Sequence, residues 1–216
     1  MSYDYYDAFG KELGKLSEFN GQIYFSGRDI GEIEIKNGDI IDFYIDGEWV
    51  PYRYDGRSFV NRENSDIKFF TAGKARYHRP IDTYMKARLD QILHPESFRI
   101  LTGKLYSIKH LTLFDCMLFR ESGEFLESLI KGNHFLFFEN VHTYCSVHHY
   151  YERVEDKHIP GGYRFISDRF EFMTMDGQQF TETYEKTFEP AFEKPIKNDD
   201  FEEEYMEYLR KKGLVE

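Results

Sequence analysis

Three dipeptides at a nine-residue spacing, Asn37-Gly38, Asp46-Gly47 and Asp55-Gly56, constrain this chain more than any other feature. Asn-Gly and Asp-Gly readily supply the positive φ angles that tight hairpin turns require. Around them apolar residues alternate with polar ones, as in Ile33 and Ile35, then Ile41, Phe43 and Ile45. A period of two marks a strand with one buried face. The stretch from Gln22 to Val60 is therefore expected to form a meander of short antiparallel strands curled into a small barrel. Trp49, the single tryptophan, falls in the third strand of that series and is expected in its core.

The period differs on either side. Tyr5, Tyr6, Phe9, Leu13 and Leu16 fall at helical spacing and predict an amphipathic helix over residues 3–17, weakened by Gly10 and Gly14. Residues 61–80 are polar and basic and read as a connector. Ile81, Tyr84, Met85, Leu89, Ile92 and Leu93 then predict a helix that His94-Pro95 stops. A second β region follows, with strands expected at Phe98 to Ile108, Leu111 to Phe119, His134 to Asn140, His142 to Glu152, Tyr163 to Met173 and Gln178 to Phe188. Asp176-Gly177 turns the last pair, and Glu121–Ile130 reads as a short helix. From Pro190 the chain is acidic, and Phe201, Tyr205, Tyr208 and Leu209 predict a final helix. The expected class is α+β: an N-terminal helix, a small antiparallel β-barrel or meander, a helix, a second mainly antiparallel sheet, and a C-terminal helix. The expected units are residues 1–78, 79–192 and an acidic tail over 193–216.

Composition narrows the function classes. Aromatic residues make up 18% of the chain, far above what a disordered sequence carries, and rings suit half-buried pleated surfaces. No run approaches the roughly 20 apolar residues that a membrane helix needs. The N-terminus lacks a basic segment followed by an apolar one, so a cytoplasmic protein is expected. Cys116 and Cys145 are far apart in apolar runs and read as free thiols in a reducing compartment. The net charge is −11, yet residues 51–110 hold 12 bases against 6 acids. Acidic regions on both sides repel free nucleic acid, whose binding depends on Lys and Arg releasing counterions. A basic protein partner is instead attracted and steered.

The densest chemistry lies in His142-Thr-Tyr-Cys145-Ser-Val-His148-His149. Histidines beside a cysteine are the materials of a zinc site or of acid–base catalysis. On a strand, however, His142 and His148 share one face about 20 Å apart, while Cys145 and His149 share the other about 13 Å apart. A metal would need ligands from neighbouring strands, where His110, His134 and Asp115 are candidates, and a packed or solvent-lining aromatic strand is the simpler expectation. The segment Glu155 to Gly162 has an Asp-Lys-His-Ile-Pro-Gly-Gly order that faintly resembles the start of an HNH nuclease motif. Lys157 separates Asp156 from His158, and no Asn and His complete the set, so it reads as a loop. Phosphate-loop, dinucleotide and nucleophile-elbow motifs are absent, and no cofactor or metal is expected. Lys68, Lys74, Arg76, Arg79, Lys86 and Arg88 are interleaved with Phe69, Phe70, Tyr77 and Tyr84. Cations among rings are the ingredients of single-strand recognition.

In the run Ile30 to Arg53, Gly38-Asp39 precedes an alternating strand, and Asp46-Gly-Glu-Trp49-Val-Pro51-Tyr-Arg53 leads into the next. This pattern, over residues 21–62, resembles an uncharacterised small β-barrel family of plasmid and conjugative-element proteins. The resemblance implies a mobile genetic element in a bacterial cell and carries over no catalytic residue. Acidic proteins from such elements often block host defences, as anti-CRISPR proteins do. The expected function is thus an inhibitor that binds a basic nucleic-acid-handling host protein, such as a CRISPR effector or its guide-RNA complex. Its expected contacts are Asp39, Asp42, Asp46 and Glu48 at the turns and Glu202, Glu203 and Glu204 in the tail. Two rivals stand beside it. One is a metal-dependent nuclease or RNA-processing enzyme using His142, His148 and His149 with Cys145; the other is a single-stranded nucleic-acid-binding accessory protein using the 68–88 cations.

Overall fold

A computed structural model describes residues 3–61, 74–159 and 161–189. The architecture is mixed α+β and mostly antiparallel sheet, as expected, but the elements differ from the sequence reading in several places.

Helix α1 spans only Tyr3–Phe9. Gly10 ends it, its N–H bonding to the Tyr6 carbonyl at 2.8 Å, and the chain continues as β1 (Lys11–Phe19). Leu13 and Leu16 therefore belong to a strand, Leu16 buried and Leu13 exposed. Their helical spacing to Tyr6 and Phe9 is coincidental, because three residues apart on a strand means opposite faces. Then follow β2 (Gln22–Gly27), β3 (Gly31–Glu34), β4 (Ile40–Ile45), β5 (Glu48–Tyr54), β6 (Phe59–Val60) and β7 (Lys74–His78). They form one seven-stranded sheet in the order β3-β2-β1-β7-β4-β5-β6. No closed barrel forms among the described residues. The core of this sheet, including Leu16, Phe25, Ile41, Phe43, Tyr52, Phe59 and Tyr77, comes from its strands and from Ile35 in the β3–β4 connection, with no described helix contributing, so the sheet curls over its own inner face.

Strand β7 lies at the centre of the sheet, between β1 and β4. The sequence presents this segment as connector, because its outward positions are Lys74, Arg76 and His78 and only Ala75 and Tyr77 are buried. Of the three turn dipeptides, Asp46-Gly47 alone makes a two-residue hairpin, with φ of 51° and 91°. Asp55 accepts from the N–H groups of Arg57 and Ser58 in a longer loop. Asn37-Gly38 joins β3 to β4, which do not pair.

The second unit begins with α2 (Thr83–Ile92), which Asp82 caps by accepting from the Met85 N–H, and α3 (Pro95–Ser107). The α2 helix and its stop at His94-Pro95 are as expected. The α3 segment reads as a strand in the sequence, yet Phe98, Leu101 and Leu105 are buried at i, i+3 and i+7, and Pro95 sits in its first turn. That combination is a helix with a preorganised start. A 3-10 turn at Leu113–Asp115 precedes β8 (Cys116–Leu126), β9 (Leu129–Asn140), β10 (Thr143–Glu155), β11 (Tyr163–Thr174) and β12 (Gln179–Thr187). These five strands form an antiparallel meander, β12-β11-β10-β9-β8. The expected short helix at Glu121–Ile130 is instead the β8–β9 hairpin, with Leu126 opposite Leu129. The helices cover one face of this sheet and share a core with Phe119, Leu136, Phe138, Val147, Phe170 and Phe172.

Arg79 joins the two sheets. Its guanidinium binds Asp115 and lies 3.3 Å from Thr112 Oγ1, and its N–H reaches the Gly10 carbonyl at 2.9 Å. The expected C-terminal helix lies outside the described residues, and no described helix is long and apolar enough to cross a membrane.

Candidate functional site

The strict alternation of β10 sends its side chains in two directions. Cys145, Val147, His149, Tyr151 and Arg153 face the helices and are buried. Tyr144, Ser146, His148, Tyr150 and Glu152 face away, onto the side that no described helix covers.

The inward set carries a buried polar network. Asp168 on β11 accepts from Ser97 Oγ at 2.5 Å, His149 Nε2 at 2.8 Å and Arg153 Nη2 at 2.6 Å. Arg153 also donates to the carbonyls of Ile92, Glu152 and Ser167. His134 Nδ1 lies 3.1 Å from His149 Nδ1. Burial raises the Asp168 pKa, but His149 and Arg153 lower it further, so the carboxylate stays ionised. Burial holds the His149 pKa low against the pull of Asp168, and drives that of His134 to about 3. Both imidazoles are neutral. With Nε2–H of His149 given to Asp168, its Nδ1 accepts from His134, which leaves His134 Nε2 buried without a hydrogen bond, 3.7 Å from Glu121 Oε2. Ser97 bonds to the aspartate and not to a histidine, and both rings are fully buried. The arrangement ties α2 and α3 to the sheet, so it is a strut with no substrate access.

The outward face is different. Phe137 stacks on Tyr144 with ring centroids 5.8 Å apart, His148 and Tyr150 lie 4.1 Å apart, and Phe135 meets His148 edge-on. Phe135, Tyr144, Tyr150 and Met173 are each 38–50% exposed. The register places Arg120, Lys131 and Arg169 on this face against Glu124, Glu139, Glu152, Glu171 and Glu185. At one end a groove of about 670 Å³ runs over Tyr150, walled by Glu124, Lys131, Glu152, Arg169 and Glu185. Lys131 pairs with Glu152 at 3.2 Å and Arg169 with Glu171. Among the described residues Glu124 and Glu139 carry no ion pair. The groove floor includes Gly123 and Gly132, directly opposite each other. A Cβ on Gly132 would lie 2.4 Å from the Tyr151 hydroxyl, so only glycine lets that ring pass beneath the strands.

The residues singled out from sequence scatter. His142 lies in the β9–β10 turn, His148 on the open face 3.4 Å from Asn133 Oδ1, and His149 with Cys145 on the buried face. The strand does not bring them to one point. Of the neighbouring-strand candidates, His134 meets His149 alone; Asp168 and Ser97 gave no sequence signal. Asp42 is 1% exposed and held by Arg76, His78 and Lys11, so it has no free surface to offer a partner. Asp39 accepts from the Lys36 N–H within its own turn. Asp46 and Glu48 remain exposed at the β4–β5 turn. Lys68, Glu202, Glu203 and Glu204 lie outside the described residues. The basic segment is largely neutralised internally: Arg76 by Asp42, Arg79 by Asp115, Lys86 by Asp90 and Arg88 by Glu121. Trp49 stands outside the core, its ring 4.2 Å from the Arg76 guanidinium. The groove residues escaped the sequence reading, although the even-numbered positions of 144–152 carried their signal.

The family model described as "Protein of unknown function (DUF2777)" matches residues 12–184. This match carries no link to plasmid or anti-CRISPR proteins. Neither a curated protein nor a solved structure matches the chain.

Proposed function

The chain belongs to the DUF2777 family, and from the site itself we propose that it is a protein-interaction module that captures a basic protein segment on the open face of its second sheet. One observation carries this reading: β9 and β10 display exposed rings beside a groove walled by three glutamates, on a face that the described helices leave bare. Aromatic side chains offer large contact area at low entropic cost and hold Arg or Lys over their faces. The model for such a contact is already present, with the Arg169 guanidinium 5.6 Å from the Tyr150 ring. Glu124 and Glu139 supply unpaired charge for an incoming cation, and the net charge of −11 steers a basic partner from a distance.

The sharper form of this reading makes the partner a nucleic-acid-handling protein of the host, blocked when its basic surface is covered. A pull-down with the full chain as bait tests both forms. Wild-type protein retains a basic partner at low salt and releases it at high salt, while Tyr150→Ala/Glu124→Lys retains none. Equal recovery by both baits would overturn the proposal. A recovered partner whose nucleic-acid activity is unaffected would remove the inhibitor form alone.

A further inference from the structure

The outer face of the first sheet has the opposite electrostatic character. Lys11, Lys15, Lys74, Arg76 and Arg53 all point outward from β1, β7 and β5; Asp42 lies among them, paired with Lys11 and Arg76, and Glu32 and Glu34 share the face at its β3 edge. Two features set this apart from an ordinary solvated surface. Lys15 stands directly opposite Lys74 in antiparallel register, and its other cross-strand neighbour is Ser26. Like charges placed directly opposite destabilise a sheet, and among the described residues neither lysine has an ion-pair partner. Beside them the exposed Tyr44 stands opposite the half-buried Trp49, and Leu13, 56% exposed, lies across from Arg76 on β1. Asp42 fixes the Arg76 guanidinium through Nε at 3.1 Å and Nη2 at 2.7 Å. That guanidinium lies against Trp49, whose ring meets Tyr44 at 5.1 Å.

We propose that this face binds single-stranded nucleic acid, with Lys11, Lys15, Lys74 and Arg53 neutralising phosphates and Trp49 and Tyr44 stacking on unpaired bases. A polyanion relieves the Lys15–Lys74 repulsion that the fold leaves uncompensated. Unpaired bases suit the rings because every base presents a π face, whereas a duplex buries its bases within the stack. An acidic peptide or an anionic membrane would satisfy the lysines but leave the rings without a role. The acidic remainder of the molecule confines the strand to this one face. The proposal is independent of the protein-binding groove, which lies on the other sheet.

Trp49 is the only tryptophan, so intrinsic fluorescence reports on the site directly. The full chain is titrated with dT and rU oligonucleotides of about 15 nucleotides, which suits one small binding face. Both the quenching of Trp49 and its loss in Lys15→Glu are expected, with affinity falling at least tenfold in that variant. With four cations engaged, raising salt from about 50 to 200 mM weakens binding roughly fiftyfold. The Lys15→Glu protein should melt no lower than wild type, since it replaces a like-charge pair with an opposite one, and this shows that it is folded. Absence of quenching at low salt overturns the proposal, as does quenching that Lys15→Glu leaves unchanged. Equal binding by poly-glutamate, by duplex DNA of the same length or by anionic vesicles overturns it too.

Discussion

At the scale of single residues, the His134–His149 pair gives the most specific physical consequence. In the unfolded chain each imidazole titrates near 6.5, but burial holds His134 at about 3 and keeps His149 low as well. Below about pH 6.5 the unfolded chain therefore binds protons that the folded chain refuses, and stability falls as pH falls. For His134 alone the loss at pH 5 is on the order of 2 kcal/mol. Denaturant midpoints measured from pH 7.5 to 5 should drop accordingly, and His134→Leu should flatten that slope. A midpoint constant over this range would contradict the assignment. Asp168 acts at more acid pH, because its lowered carboxyl contributes stability that is lost only as pH falls through its folded value. Replacing it with Asn strands Arg153 in the interior and should cost about 3–5 kcal/mol, read as a lowered melting temperature. None of this was legible in the sequence beyond the bare histidines. Asp168 and Ser97 are 71 residues apart in the chain, and a contact at that separation leaves no local pattern.

At the scale of elements, what the sequence disclosed follows from how each element is buried. Strands β10 and β11 alternate cleanly because one face meets helices and the other meets water, so their existence and their faces could be read directly. Helix α2 announced itself through its apolar spacing and the His94-Pro95 stop. Helix α3 was hidden because Phe98, Ile100 and Thr102 also satisfy an alternating template over a short window, and the burial of Leu101 and Leu105 decides for the helix. Strand β7 was hidden because a central strand with a basic outer face has the composition of a linker. The two faces of the second sheet also separate stability from function experimentally. Leu101→Ala, in the helix layer, should lower stability by about 2–5 kcal/mol and leave partner binding intact at temperatures where it stays folded. Tyr150→Ala, on the open face, should change stability by about 0.5 kcal/mol or less and abolish partner retention. Thermal melts and pull-downs on the same two proteins distinguish these outcomes.

At the scale of the whole molecule, the organising feature is the separation of charge between two sheets. The chain is acidic overall, yet its first sheet turns a basic, tryptophan-bearing face outward while its second presents rings among carboxylates. The pair Arg79–Asp115 joins the two units through a buried contact, so both faces belong to one body. A basic protein and a nucleic-acid strand should accordingly not compete for this molecule. Adding an oligonucleotide that quenches Trp49 should leave the amount of protein partner retained unchanged, and displacement of that partner would place both ligands on one surface. Photo-crosslinking shows which surface meets the protein partner. A photoreactive phenylalanine analogue is placed at Ser146, in the middle of the open face of the second sheet, or at Arg99, on the exposed side of α3. The predicted result is a covalent complex with a basic protein from the Ser146 position and none from Arg99. Crosslinking from Arg99 with none from Ser146 would contradict it, because the helix layer would then be the surface that meets the partner.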